Sequence, residues 1–313
     1  MPRSLLLVAL VLVGCRDPDP PALLHASPSP ARDAYFAAAA DGDYDALDDV
    51  IAALTQEHDG GDAESTAVLG FAHAWKLSER ARAEQPPDIT EHAALAVASF
   101  DGAFEALDDP RLLGFRGSFR QAVGDITDDA DLQQDGWFDQ EAATRRWPEW
   151  GKFTQAYGLI TKEPSETLYG TGTRLLWEAV DACLETRVSR ATFDFSEHLD
   201  EFLADDDPWN RRGCGNTTVA PHNTEGFFTV FGDHFARAGN TAQAERMYEA
   251  ALAVPSADDW PYRFVALERL DRLIDLPDRF AELPSRGAAA RVQDTVVFSG
   301  PASCSICHRA TQL

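Results

Sequence analysis

The residues best suited to chemistry lie near the end of the sequence, in the run Cys304-Ser305-Ile306-Cys307-His308. Two thiols three positions apart can form a tight disulfide, exchange it with another thiol or carry a covalent group, and an imidazole follows directly. With five cysteines and eight histidines in 313 residues, chance alone would produce this arrangement about 0.002 times in a chain of this composition. The run is therefore a candidate functional site.

This run resembles the CxxCH attachment motif of c-type cytochromes, and the resemblance covers these five residues only. It implies thioether bonds from Cys304 and Cys307 to the two vinyl groups of haem c. It also implies that His308 is an axial ligand of the iron. Haem c is thus the expected cofactor, and electron transfer or redox sensing is the expected function.

The sixth position of such an iron needs a ligand from elsewhere in the chain, or stays open, because no methionine follows the motif. We select His222, which lies in a proline-containing loop outside a regular helix and close to Cys214. A loop histidine that bonds to the backbone is the alternative interpretation of His222. Three further candidates fall in helix-like segments, where surface exposure or core packing is the stronger explanation: His198, His234 and Met247.

The same two thiols permit chemistry without haem. Cys304 and Cys307 can form a structural disulfide or a thiol redox pair, with His308 adjacent by accident. No thioredoxin-like βαβ pattern surrounds them, which places thiol exchange last. Zinc needs a second pair of ligands, and no other cysteines have a zinc-like spacing, so we predict no metal-ion site.

A second disulfide is expected between Cys183 and Cys214. Cys183 lies in the helix-like stretch LLWEAVDACLETR and Cys214 in a loop between two glycines, so a bond between them would fasten the loop to the helix. If Cys15 carries lipid, four cysteines remain and three pairings are possible. Unpaired thiols, or pairing with the C-terminal cysteines, remain open alternatives.

The N-terminus predicts export and lipidation. A basic residue precedes the apolar run Leu5 to Val13, which suits a secretory signal but is shorter than the roughly 20 residues that span a bilayer. The run ends in Leu12-Val13-Gly14-Cys15, which resembles the lipobox of bacterial lipoproteins. The resemblance implies that residues 1–14 are removed and that acylated Cys15 anchors the protein to the lipid bilayer. Arg16 at the next position favours the outer membrane, on its periplasmic or surface face.

Composition limits what the rest of the chain can be. Residues 15–31 form a proline-rich spacer without helical periodicity. The whole chain is 44% hydrophobic and all seven tryptophans follow the spacer, which predicts a folded body with a real core. The formal net charge of −25 repels phosphate backbones, so nucleic acid is not an expected partner.

The body is predicted to be all-α. Apolar residues recur three and four positions apart through residues 32–126 and again through 171–290. Residues 127–170 mix acidic residues with three tryptophans, and we expect a long surface excursion there between two helical halves. Its aspartates do not complete a calcium loop, because Ala142 occupies the position that requires Glu. The tail, 291–313, contains the CxxCH run and one short β-like stretch.

Residues 224–255 resemble one tetratricopeptide repeat. Aromatic, small and turn residues occupy the expected positions: Phe228, Phe231, Gly232, Phe235, Gly239, Ala244, Tyr248 and Ala251. The other helical segments match only loosely, so we expect a degenerate repeat array, an α-solenoid or an irregular helical bundle. The resemblance implies a groove that binds a peptide or a partner protein.

No catalytic residues can be assigned. The sequence contains no hydrolase, kinase or dehydrogenase motif, and no carboxylate pair stands out from the general acidity. Two functions follow as expectations: a lipid-anchored electron carrier or redox sensor with one haem c, and a lipid-anchored protein-binding scaffold in which CxxC is a structural disulfide.

Overall fold

A computed structural model describes residues 28–78, 83, 85, 87–160, 164–203, 214–216 and 222–282. These ranges contain thirteen α-helices and no β-strand, which confirms the predicted all-α class. Short 3₁₀ turns occur at Tyr44–Ala46, Phe195–Glu197 and Pro255–Asp258. The predicted signal peptide, most of the predicted spacer and the tail 291–313 lie outside the described residues.

The N-terminal half is a series of helices, each packed against its neighbour in sequence: α1 (Pro30–Asp41), α2 (Leu47–Asp59), α3 (Ala63–Ser78), α4 (Ile89–Leu107) and α5 (Pro110–Thr127). Helix α1 begins where the Ser29 side chain accepts a hydrogen bond from the Arg32 backbone N–H at 3.0 Å. It ends at Gly42, whose φ of +66° favours glycine. Ser29 and Arg32 are buried, so the end of the predicted spacer belongs to the folded body.

Residues 127–170 do not form the predicted surface excursion, and that prediction is wrong. They contain two packed helices, α6 (Ala130–Arg146) and α7 (Pro148–Ile160). The acidic residues that suggested a loop have structural roles instead. Asp129 caps α6 by accepting from the Leu132 N–H at 3.0 Å, and buried Asp139 faces α5. Acidity here reflects capping and ion pairing rather than exposure of the whole segment.

Helices α5 and α6 are in backbone contact at Gly117 and Gly136. A Cβ added to either glycine would collide with the carbonyl oxygen of the other. The close approach brings Asp139 within reach of two arginines on α5: it accepts from Arg116 Nε at 2.7 Å and from Arg120 Nη1 at 2.9 Å. A partly buried ion-pair cluster therefore fastens α5 to α6.

The C-terminal half contains six helices: α8 (Thr167–Cys183), α9 (Leu199–Leu203), α10 (Asn223–Arg237), α11 (Thr241–Ala253), α12 (Arg263–Asp271) and α13 (Leu276–Glu282). Helices α10 and α11 form the hairpin predicted for residues 224–255. Gly239 makes the turn with a φ of +74°, and Gly232 lies against the ring of Tyr248, where any side chain would collide. The hairpin is observed, whereas membership of the tetratricopeptide family stays a prediction.

Two hydrophobic cores fill the molecule, one from Ala31 to Trp150 and one from Phe153 to Leu276. Aromatic contacts connect them: the ring centroids of Trp150 and Phe153 are 6.0 Å apart, and those of Phe153 and Phe227 are 5.2 Å apart. The division between the halves therefore falls within α7 rather than in a polar linker.

Candidate functional site

The structure places Cys183 and Cys214 as a disulfide. Their sulfurs lie at bonding distance and their Cα atoms are 5.6 Å apart, a usual separation for this bond. Cys183 is the last residue of α8, and buried Cys214 begins the segment 214–216 that precedes α10. In this arrangement neither sulfur is available to Cys304 or Cys307.

The segment that follows Cys214 is held by a buried polar network. The Glu225 carboxylate, 0% exposed, accepts hydrogen bonds from Asn216 Nδ2 at 2.8 Å and from Ser256 Oγ at 2.6 Å. Asn216 Oδ1 in turn accepts from the Thr224 N–H at 2.8 Å, at the start of α10. The hydrogen-bond donors that a buried carboxylate requires are thus supplied to Glu225 by Asn216 and Ser256, which lie outside α10.

His222 lies beside this network and connects the start of α10 to helix α1. Its Nε2 donates to the Ala40 carbonyl in α1 at 3.2 Å, and its Nδ1 is 3.7 Å from Glu225 Oε1. Its side chain is 14% exposed. The arrangement matches the alternative interpretation, a loop histidine bonded to the backbone. To act as an iron ligand through Nε2, His222 would have to leave the Ala40 carbonyl.

The structure brings together three of the predicted site residues, namely Cys183, Cys214 and His222. The other four lie outside the described residues: Cys15, Cys304, Cys307 and His308. Their roles stay predictions from the sequence.

The three other candidate iron ligands are held in contacts with neighbouring side chains. His198 is partly exposed, lies 3.3 Å from Glu201 Oε2 and stacks on the ring of Phe193. Met247 is fully buried in the second core. His234 is 2% exposed, stacks on Tyr169 and places its Nε2 2.7 Å from Thr173 Oγ1. Packing therefore accounts for all three.

The burial of His234 predicts acid sensitivity. Desolvation, with a smaller effect of the Arg237 charge, lowers the pKa of His234 from 6.5 to about 3. Below pH 6.5 the unfolded chain binds a proton that the folded protein does not bind until about pH 3. Stability must therefore fall as the pH falls through this window, by up to about 1.4 kcal/mol per pH unit.

We expect the variant His234→Gln to lose this part of the pH dependence. Urea unfolding at a series of pH values from 7 to 4 would measure it, with the slope of unfolding free energy against pH shallower in the variant. Equal slopes in the two proteins would contradict the assignment of His234 as a neutral core residue.

A surface cleft that the sequence did not predict lies between the residues before α9 and helix α11. It encloses about 400 Å³ and is lined by apolar and charged side chains that include Phe193, Asp194, Phe195, Arg246 and Glu249. The Arg246 guanidinium also donates to the Ala191 carbonyl, which fixes one wall. Its lining residues come from two separate segments, so no sequence motif could reveal it.

No helix in the described ranges is both long enough and apolar enough to cross a bilayer. No protein-family model matches the chain, and no curated protein or solved structure is similar to it.

Proposed function

We propose that this chain is a lipid-anchored helical protein of the bacterial cell envelope that carries one c-type haem and serves in electron transfer or redox sensing. The observation that carries the proposal is the run Cys304-Ser305-Ile306-Cys307-His308 behind an N-terminal export signal. Export delivers the chain to the compartment in which such haems are attached. Chance is a poor explanation for two cysteines and a histidine at this spacing.

The donor set fits the cofactor. Cys15 is reserved for lipid by the lipobox, and the placement of Cys183 beside Cys214 gives each of these a partner. The two remaining thiols are those of Cys304 and Cys307, at the spacing that attachment requires. This arrangement supports a separate use of the C-terminal pair. It is equally compatible with a disulfide between them.

When bound, haem c supplies a one-electron redox centre that needs no catalytic side chain. In this proposal Cys304 and Cys307 hold it covalently and His308 orients its imidazole toward the iron. His222 is retained as the candidate for the sixth position. Because His222 is bonded to the Ala40 carbonyl, the alternative is an iron with no second protein ligand. An exogenous small molecule could then bind there.

The partners in this proposal are the bilayer, through acylated Cys15, and a soluble or membrane-bound redox protein. Ser29 and Arg32 fix the first turn of α1, and Arg32 pairs with buried Glu64. The folded body thus begins about fourteen residues after the anchor, which would let it stand clear of the membrane surface. We retain the outer membrane as the expected location.

A second candidate function is a non-catalytic scaffold that binds a peptide or a partner protein, with Cys304 and Cys307 joined as a disulfide. The cleft beside α11 favours this alternative, because it combines apolar walls with Asp194, Arg246 and Glu249. Helical hairpins commonly present such surfaces to partners.

An absorption spectrum separates the two. The mature chain, secreted in a host that attaches c-type haems, is expected to be red and to show sharp reduced α and β bands that survive acid-acetone extraction. The variant Cys304→Ser/Cys307→Ser should lose the bands. The matched variant Cys183→Ser/Cys214→Ser should keep them, provided that it folds. A colourless parent protein from a host that matures a control cytochrome would rule out the haem proposal and leave the scaffold.

A further inference from the structure

Two histidines face each other across neighbouring helices far from the predicted haem residues in sequence. His73 on α3 and His92 on α4 place their Nδ1 atoms 3.0 Å apart, with ring centroids 5.1 Å apart. His73 is 5% exposed and His92 is half-buried, so the pair is open to solvent on the His92 side only. No sequence pattern marks residues nineteen positions apart on different helices.

The contact requires at least one neutral ring. Two nitrogens 3.0 Å apart cannot both carry a hydrogen directed at the other, so at least one presents a lone pair. Burial, and then the neighbouring His92, lowers the pKa of His73 from 6.5 to about 4. Burial, followed by the positive charge of Lys76, also lowers the pKa of His92.

We propose that His73 and His92 form a two-imidazole binding site for a divalent late transition-metal ion such as Zn²⁺. Neutral imidazole nitrogens are favoured ligands of these ions. Two Zn–N bonds of about 2.0–2.1 Å at a tetrahedral angle place the nitrogens about 3.3 Å apart. The observed separation of 3.0 Å is a few tenths of an ångström shorter, so binding needs a small opening of the pair and a rotation of the rings that turns both Nδ1 lone pairs toward the ion.

Proton balance is simple at this site. The ring that holds its proton on Nδ1 moves it to Nε2, and both Nδ1 lone pairs then bind the metal without net proton release. The described residues contain no cluster of three or more metal-ligating side chains. The other coordination positions therefore fall to water, as in an open site.

Charged groups of both signs lie near His92. Lys76 on α3 is the positive one, and its ammonium is paired with Asp48 on α2. The carboxylates of Asp88 and Glu91, at the start of α4, act on His92 in the opposite sense. A bound ion would link α3 to α4 close to the first core.

Isothermal titration with Zn²⁺ tests the proposal on the mature chain in its haem-loaded or disulfide form, in which Cys304 and Cys307 are not free thiols. We expect one Zn²⁺ site in the parent and binding at least about tenfold weaker in His92→Gln, a change of about 1.4 kcal/mol. The matched control His198→Gln removes a partly exposed histidine that pairs with Glu201. It should bind as the parent does.

Long-range ¹H–¹⁵N spectra of the histidine rings give a second readout that does not depend on a variant. Zn²⁺ should shift the Nδ1 resonances of two histidines in the parent, while circular dichroism verifies that His92→Gln remains helical. Equal Zn²⁺ affinity in the parent and in His92→Gln, or unshifted Nδ1 resonances in the parent, would overturn the proposal and leave a hydrogen-bonded pair.

Discussion

Replacing both Cys183 and Cys214 by serine is expected to lower the free energy of unfolding by about 3 to 4 kcal/mol. A disulfide over the observed sequence separation of 31 residues restricts the unfolded chain to this extent in the chain-entropy account. The loss also releases the segment that supplies Asn216 to the buried Glu225 carboxylate. Urea unfolding of non-reduced, haem-free protein would measure the change.

The matched control is Cys304→Ser/Cys307→Ser in the same haem-free background. It removes the same number of cysteines, and a bond between residues three positions apart would close too short a loop to restrict the unfolded chain comparably, so we expect a clearly smaller loss of unfolding free energy. If the Cys183→Ser/Cys214→Ser protein were as stable as the parent, the two cysteines would not be bonded in the folded protein.

Removing the Asp139 carboxylate, which pairs α6 with two arginines of α5, should also lower the free energy of unfolding. In Asp139→Ala the partly buried guanidinium groups of Arg116 and Arg120 lose one of the two carboxylates that they share and keep their ion pairs with Asp101. Breaking a buried ion pair typically costs about 3–5 kcal/mol, and the remaining contact with Asp101 places the expected loss near the lower value, about 3 kcal/mol.

Asp135→Ala provides the control, because Asp135 is an exposed aspartate on the same helix. Its unfolding free energy should change by no more than about 0.5 kcal/mol. Thermal or urea unfolding of the two variants measures the difference. A loss for Asp139→Ala as small as that for Asp135→Ala would show that the cluster contributes little to the packing of α6.

Local sequence signals predicted the helices where periodicity and turn chemistry agree. The hairpin of α10 and α11 was predictable from two glycines. Gly232 leaves room for the Tyr248 ring, and Gly239 adopts the positive φ that the turn requires. The break at Gly42 was predictable for the same reason. Helix α4 begins at an ordinary capping residue, Asp88, whose side chain accepts from the Glu91 N–H at 2.8 Å.

Features that depend on contacts between distant residues were not predictable. The acidic residues of α6 obscure its periodicity, so the sequence predicts a surface excursion there, and only the contact between Gly117 and Gly136 shows why the helix packs. Residue counts left three disulfide pairings open. The bond from His222 to Ala40 joins residues 182 positions apart, so the sequence could offer a loop histidine but not its partner.

The central claim is that Cys304 and Cys307 carry haem c, and the mass of one peptide tests it most directly. Trypsin should release residues 292–309, which contain the whole motif. From protein secreted in a haem-maturing host, we expect this peptide to carry the mass of one haem and to resist alkylation at both cysteines. A peptide without haem and two hydrogens lighter than the dithiol form would contradict the claim, and would identify a disulfide on a helical scaffold instead.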